Sequence, residues 1–392
     1  MNESKKQRNY DTVVYLTACA LNGVVPDRAC IADIDMNGVG HCAKRHKLSA
    51  LVAHSLEMAG LAPTEAILAK NRAIRRILLL DAEREQILSE LEKRKIKYMP
   101  LKGVYIKDYY PALGLREMSD NDILIEAWAR EELKEIMLSR GYTIGSFGRG
   151  YPDEYTKPPV YNFEIHTSLF MESVDPVAYG HYLGALERAV KTEGTEYCYR
   201  MTDEDFYAYV KAHEYKHFSR GGTGLRSLAD TYVLEKRFGS VIDGEYVSSE
   251  LRALGILEYS NMTRSLAKKI FSSEATSRPV GSFYETLEDK EREAYLYICD
   301  SGVYGNHKNL VENSIRSVSE DDKITKRSKL KYIKKVIFPS MQTCKDIYPF
   351  FYRHKILMPI LWIRKICKVI FVKPKVSLKR LRYVMRSDKT GK

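Results

Sequence analysis

Two carboxylates, Asp120 and Asp122, are separated by a single residue in the stretch LREMSDNDILI, which covers residues 115–125. The apolar Ile-Leu-Ile run that follows predicts a β-strand. Side chains alternate between the two faces of a strand, so both carboxylates would point the same way and repel each other. Pairs of this kind are common by chance in solvated loops. On a buried strand, however, the repulsion requires a positive charge between them.

Two further features flank this pair in the sequence. Lys102 and Gly103 close the apolar run KYMPLKG, which predicts a strand followed by a turn, and Glu164 lies in a third predicted strand, YNFEIHTSLF over 161–170. Alone, each is typical of an ordinary turn or of a half-buried strand. Together, three carboxylates on neighbouring strands could hold two Mg²⁺ ions, which activate an attacking hydroxyl and stabilise a leaving pyrophosphate. Gly103 would let the backbone approach a triphosphate, and Lys102 would neutralise its charge.

The surrounding pattern indicates which elements position these residues. Residues 1–97 have the 3.6-residue apolar period of helices, and strands then alternate with helices, including REELKEIMLSRG with Gly141 as its stop signal. The glycine- and proline-rich stretch between Gly141 and residue 161 predicts a loop, and the pattern is helical again after about residue 175. We therefore predict an α/β (α+β) core with a small mixed sheet, flanked by helical regions. The predicted divisions are an N-terminal helical region (1–97), the α/β core (98–175), a helical domain packing on the core (176–325) and a basic C-terminal tail (326–392).

The order of these motifs resembles a known family. LKG, then R-x-M-x-D-x-D followed by apolar residues, then FEIH, is similar over roughly residues 60–240 to the uncharacterised nucleotidyltransferases of the DNA polymerase β superfamily, often associated with bacterial surface-polysaccharide gene clusters. The resemblance implies a Mg²⁺-dependent enzyme that moves a nucleoside monophosphate from an NTP to a sugar, lipid-linked glycan, protein or RNA. A non-catalytic nucleotide-binding or scaffold protein of a glycan pathway is the alternative. The implied roles are metal binding and catalysis for Asp120, Asp122 and Glu164, binding of the nucleotide phosphates for Lys102 and Gly103, and positioning for Arg116.

One residue departs from the family pattern. The position between the two aspartates is normally apolar, and here it is Asn121. A buried amide without hydrogen-bond partners costs about 1–3 kcal/mol. We therefore expect either a partly exposed strand end or a slightly altered site.

A competing motif lies further along the chain. HEYKH, residues 213–217, fits the H-E-x-x-H signature of zinc proteases, with Glu214 as general base and Glu235 as a possible third ligand. The following FSRGGTG stretch breaks the helix directly after the second histidine, which does not suit a protease. We consider a structural helix, a substrate-side role for His213 or His217, and zinc proteolysis, in that order.

The chain has 392 residues and a formal net charge of +12, and the excess lies at the C-terminus. Residues 326–392 contain 20 lysines and arginines against two acidic residues, whereas the rest of the chain has 43 basic and 49 acidic residues. Residues 356–372 combine large apolar side chains with three basic ones, which argues against a membrane-spanning helix. We consider three roles for the tail: packing on the core, binding nucleic acid, and peripheral attachment to an anionic membrane surface.

Cysteine usage and the N-terminus bear on the compartment. The seven cysteines form no CxxC pair and their number is odd, which favours a reducing cytoplasm over a disulfide framework. Leu16 to Cys19 resembles a lipoprotein cleavage box, but only TVVY precedes it, whereas a secretory signal needs about 7–15 apolar residues. We therefore expect a cytoplasmic protein, at the inner face of the membrane if the tail binds lipid.

Overall fold

A five-stranded mixed sheet carries the predicted site. The computed structural model describes residues 3–150, 152–319, 321, 323–367 and 383–385. The strands are β1 (Tyr98–Pro100), β2 (Asn121–Ile125), β3 (Thr143–Ser146), β4 (Asp153–Lys157) and β5 (Tyr161–His166), in the spatial order β1-β2-β5-β4-β3. β2 and β5 pair in parallel at the centre, and the other neighbours pair antiparallel. The predicted mixed sheet is thereby confirmed.

Two of these strands correct the prediction of a loop between Gly141 and residue 161. β4 pairs along its whole length with β5, with Tyr155 opposite Phe163, and both rings are fully buried. Asp153 is also buried, and Arg130 compensates its charge by donating two hydrogen bonds to the carboxylate. This strand is difficult to predict from its charged sequence, which lies between two prolines, because the residues that it pairs with belong to other elements.

Helices precede and follow the sheet in the sequence. The first five are α1 (Glu3–Asn22), α2 (Arg28–Ile31), α3 (Met36–His46), α4 (Ser49–Met58) and α5 (Thr64–Lys93). Within the core, a short helix, α6 (Gly103–Ile106), follows β1, and the predicted REELKEIMLSRG helix is α7 (Arg130–Ser139). Gly141 follows α7 with a φ of +80°, which suits a glycine stop.

The chain beyond the sheet is mainly helical, as predicted, apart from a short hairpin of β6 (Val190–Lys191) and β7 (Tyr199–Arg200). Its helices are α8 (Pro176–His181), α9 (Ala185–Arg188), α10 (Asp203–Phe218), α11 (Leu225–Phe238), α12 (Gly244–Ala253), α13 (Leu257–Phe271), α14 (Ser273–Thr276), α15 (Asp289–Ser301), α16 (His307–Arg316), α17 (Lys326–Ile337), α18 (Met341–Ile347), α19 (Pro349–Arg353) and α20 (Met358–Cys367). Single 3-10 turns lie at Lys107–Tyr109, Ala127–Ala129, Ser282–Thr286 and Lys355–Leu357. Across the described ranges, none of the helices combines the length and apolar character needed to cross a bilayer.

The two faces of β2 belong to different apolar cores. Ile123 and Ile125 pack with residues of α5 and α7, whereas Leu124 packs into the large core formed by α1, α4, α10, α11 and α13. Because alternate residues share a face, Asp122 lies on the same side as Leu124. The sheet therefore presents its carboxylates toward the α10 side of the molecule.

Candidate functional site

Three polar side chains meet on two neighbouring strands. In the parallel pairing of β2 with β5, Asp122 lies opposite Glu164, and Leu124 lies opposite His166. Alternation then puts Asp122, Glu164 and His166 on one face of the sheet. One ligand atom from each of the three lies within 4.8 Å of the others, and such a group could hold a metal ion. Asp122 is buried, Glu164 is half-buried, and the His166 side chain is only 11% exposed.

Asp120 precedes β2 and belongs to the same electrostatic neighbourhood. Burial, followed by the charge of Asp122, raises the pKa of Asp120. Burial also raises the pKa of Glu164 to about 8, and the charges of Asp122 and Asp120 add to this effect. The three predicted metal ligands thus act on one another through their charges.

Two cationic or hydrogen-bonding groups contact Asp122 directly. The Lys102 ammonium lies 3.0 Å from one carboxylate oxygen, and His166 Nε2 lies 2.9 Å from the other. Burial alone would raise the pKa of Asp122, but Lys102 and His166 more than offset it and lower that pKa. His166 was not among the predicted site residues, although its position two residues after Glu164 on the same strand face was readable from the sequence.

The Lys102 backbone is unusual. It has a φ of +21° directly before α6, a region that residues other than glycine rarely adopt. Strain of this kind concentrates at functional sites, where the surrounding structure holds it in place. Here it accompanies a lysine whose ammonium lies beside the buried carboxylate of Asp122.

Gly103 and Arg116 lie against each other next to this group. A Cβ on Gly103 would come within 3.1 Å of Arg116 Nη1, so a larger residue at this position would crowd the guanidinium. Arg116 is buried, and its Nε and Nη2 donate to the two oxygens of Asp230 at 2.8 and 2.9 Å. The Tyr110 hydroxyl donates to the same carboxylate at 2.8 Å. The structure therefore joins Arg116 to α11, and not to either aspartate of its own motif.

The side-chain amide of Asn121 has its hydrogen-bond partners on α5. Its side chain is fully buried, so a partly exposed strand end is ruled out. The amide donates to the Leu80 carbonyl oxygen at 3.2 Å and accepts from Arg84 Nη1 at 3.0 Å, both on α5. The departure from the family pattern is thus compensated on the face of β2 opposite the carboxylates.

The HEYKH motif lies on α10, but its glutamate faces the core. Glu214 accepts from the fully buried Lys211 ammonium at 2.6 Å and from the Tyr259 hydroxyl at 2.9 Å. Glu235, the possible third ligand, accepts from Tyr207 and forms an ion pair with Arg264. A zinc protease needs its glutamate free beside the histidines, so this arrangement does not fit that alternative.

The other face of α10 borders the carboxylates. The pKa of His213 is lowered by burial and then by the charge of Lys102, and burial together with the charge of Asp122 raises the pKa of Tyr209. His213 Nε2 lies 3.3 Å from His217 Nε2. The sequence does not decide the role of these two histidines, because no local pattern shows which element α10 packs against.

The donor set is consistent with a divalent cation. Two of the three carboxylates, Asp120 and Glu164, have raised pKa values, first because they are buried and then because of the negative charge of Asp122. Carboxylate oxygens are the ligands that Mg²⁺ prefers. The hydrogen bond from His166 to Asp122 has the form of the outer contacts that orient metal ligands.

Comparison with known proteins agrees with this geometry. A family model described as an uncharacterised nucleotidyltransferase matches residues 32–272, a range that includes the whole five-stranded sheet, α10 and α11. Searches of curated proteins and of solved structures found no match. Since the matched range exceeds half of the chain, the protein belongs to this family of uncharacterised nucleotidyltransferases.

Proposed function

We propose that the protein transfers a nucleoside monophosphate from an NTP to an acceptor, with Asp120, Asp122 and Glu164 holding Mg²⁺. The observation that carries this proposal is the pairing of Asp122 with Glu164 on adjacent parallel strands, with Asp120 beside them and one lysine to offset three carboxylates. Membership of a nucleotidyltransferase family implies the NTP. That the metal is Mg²⁺, and that a separate acceptor receives the nucleoside monophosphate, are parts of the proposal.

Each residue has a defined task in such a reaction. An acceptor oxygen forms a bond to the α-phosphorus of the NTP, the bond to the leaving pyrophosphate breaks, and any proton on the acceptor oxygen passes to water. When bound, Mg²⁺ would help to activate the attacking oxygen and stabilise the charge on pyrophosphate. His166 orients Asp122, and Lys102 and Gly103 are assigned to the phosphates of the NTP.

The alternative is a nucleotide-binding or scaffold protein without turnover. A screen of the four NTPs with Mg²⁺, following both pyrophosphate release and labelled product, separates the two functions. Nucleotide-dependent pyrophosphate release that disappears in Asp122→Asn supports the enzyme. NTP binding without release, in the presence of candidate acceptors from each class, would favour the scaffold. A role in surface-polysaccharide synthesis rests on the family resemblance and stays a prediction.

We further propose that the C-terminal tail attaches the protein to an anionic membrane surface. Large apolar side chains are exposed there, including Ile356 (88% exposed), Leu330 (69%) and Ile363 (61%). Part of the tail also packs, since Cys344, Met358 and Leu361 form a small apolar cluster of their own. Apolar side chains interspersed with lysines and arginines are typical of shallow insertion at anionic lipid. The predicted stretch 356–372 is described only to residue 367, and 368–382 and 386–392 lie outside the described residues.

A further inference from the structure

An open cavity of about 800 Å³ lies between two glycine-containing loops. One is the RGGTG loop, residues 220–224, and the other is the turn between α15 and α16. They interlock closely: a Cβ on Gly305 would come within 2.5 Å of the Gly221 carbonyl oxygen, and the Asn306 amide donates to that oxygen at 2.8 Å. The glycines that break the helix after HEYKH therefore build a preformed wall of the cavity.

The lining of the cavity is strongly basic. Lys216, Arg220, Lys308 and Arg45 contribute cations, and Asp300 is the one carboxylate among the described lining residues. Asp300 already contacts the Lys6 ammonium at 3.3 Å. Within the described ranges, Lys216, Arg220 and Lys308 form no ion pair with any carboxylate. The cavity thus concentrates positive charge that the protein itself does not neutralise.

The N-terminus of α16 also favours binding of an anion in this cavity. Asn306 caps this ten-residue helix by accepting from the Asn309 amide at 2.8 Å. The amides of His307 and Lys308, which both line the cavity, have no hydrogen-bond partner in the described part of the chain. The first turn of α16 contains no acidic residue. Free amides and the helix dipole favour an anion at this position, and phosphate groups are typical occupants.

The cavity adjoins the carboxylate site. Tyr304, in its lining, has its hydroxyl 3.3 Å from Ser119 Oγ, and Ser119 directly precedes Asp120. Lys216 lies on α10 three residues after His213, on the side that borders the sheet. Burial and the charge of Lys102 lower the pKa of Lys216 to about 8, and the charges of Asp122 and Glu164 act on the same ammonium. A ligand in the cavity would therefore lie beside the proposed metal ligands.

We propose that this cavity binds a phosphate group of the acceptor, so that the acceptor of the reaction is a phosphorylated compound. The inference rests on the proposed function. The phosphates of the NTP are assigned to Lys102 and Gly103 at the start of α6, and neither residue lines this cavity. The cavity accordingly serves the second substrate.

The test measures binding of inorganic phosphate to the full-length protein by calorimetry. Arg220 and Lys308 are exposed, so Arg220→Ala/Lys308→Ala should fold normally. Loss of two charged contacts should weaken phosphate binding at least about tenfold. The control is Arg252→Ala/Lys268→Ala, which removes one exposed arginine and one exposed lysine from α12 and α13 and should leave phosphate binding unchanged. Equal phosphate affinity in the pocket variant and wild type would overturn the proposal.

A second measurement distinguishes the two sources of phosphate. Binding of a fluorescent NTP analogue with Mg²⁺ should be the same in the pocket variant and in wild type. A parallel loss of NTP affinity would show that the cavity holds the NTP phosphates, and it would overturn the assignment to the acceptor. Phosphate binding is measured without NTP, so a protein that binds phosphate in this cavity but binds no NTP contradicts the proposed function and leaves the phosphate site standing.

Discussion

Glu164 on β5 and Glu214 on α10 each lie within two residues of a histidine in the sequence, and Glu164 alone of this pair belongs to the candidate reaction site. On β5, Glu164 and His166 are two residues apart on a strand, so both face the same side and meet Asp122. On α10, His213 and Glu214 are consecutive residues of a helix, about 100° apart around its axis, so the glutamate turns into the core. The secondary structure under a motif therefore decides whether its residues can act together.

The two regions also differ in how their charges are compensated. Glu214 faces a single buried ammonium, that of Lys211, at 2.6 Å. On the sheet, Lys102 forms its ion pair with Asp122, and the pKa values of the other two carboxylates, Asp120 and Glu164, are raised. A cluster of carboxylates with raised pKa values can take up a cation, whereas the matched buried pair of Lys211 and Glu214 is already compensated.

The largest effect is expected from the carboxylates on the sheet. Asp120→Asn or Asp122→Asn should abolish nucleotidyl transfer, which a pyrophosphate-release assay measures. The two variants should differ in the free energy of unfolding without metal. Asp120→Asn removes a repulsion and should be neutral or stabilising, whereas Asp122→Asn loses charged contacts with Lys102 and His166 and should cost about 1–3 kcal/mol. Full turnover by the Asp120→Asn/Asp122→Asn protein would contradict the site.

The helix motif should show the opposite behaviour. Glu214→Gln leaves the fully buried Lys211 ammonium without its counter-charge and should lower the free energy of unfolding by about 3 kcal/mol, measured in urea. Under conditions where the variant is folded, its transfer activity should equal that of wild type. The purified wild-type protein should contain no stoichiometric zinc. One equivalent of tight zinc, with peptide cleavage lost in Glu214→Gln, would restore the protease alternative.

His166 should have an intermediate effect. It orients Asp122 through its 2.9 Å hydrogen bond, and removing such outer contacts usually costs about 10–100-fold in metal affinity or activity. We therefore expect His166→Ala to raise the Mg²⁺ concentration needed for half-maximal activity by that factor. His181→Ala is the matched control, because His181 also contacts a carboxylate, that of Glu250, on elements outside the sheet. The same Mg²⁺ requirement in His166→Ala and wild type would show that this hydrogen bond is irrelevant to the metal.

Much of the fold could be predicted from the sequence, because β2, β5 and the flanking helices have clear apolar periods. β3 and β4 could not, since β3 is an exposed edge strand that pairs with β4, and β4 is held by its pairing with β5 and by the contact of Asp153 with Arg130. The partners of Asn121 come from α5, about 40 residues earlier, and no local pattern shows them. The basic cavity depends on a contact between Gly221 and Gly305, which are remote in the sequence. Local motifs thus predicted the carboxylates, and tertiary packing determined their surroundings.

The buried ion pair of Asp230 with Arg116 can be tested by its dependence on pH. Burial would raise the pKa of Asp230, but Arg116 outweighs it and the pKa is lowered below its ordinary value of 3.8. The stabilisation is therefore fully present above about pH 4, and it is lost as the pH falls through the lowered pKa. Asp230→Asn should be less stable than wild type by about 2 kcal/mol at pH 7, and this difference should shrink below pH 3.8. A difference that stays constant down to pH 2 would contradict the role of the Arg116 pair.

The smallest effect concerns the tail, where charge and apolar surface remain exposed together. Ile356→Ser/Ile363→Ser removes two exposed apolar side chains and should weaken sedimentation with anionic vesicles at least about tenfold, because each isoleucine would lose its shallow insertion. Val241→Ser/Leu183→Ser, which changes two apolar residues elsewhere that are also more than 60% exposed, should bind like wild type. High salt should reverse the binding, since the basic residues act through the anionic surface charge. Equal binding to neutral and anionic vesicles, or binding to neither, would leave the tail as a packing element.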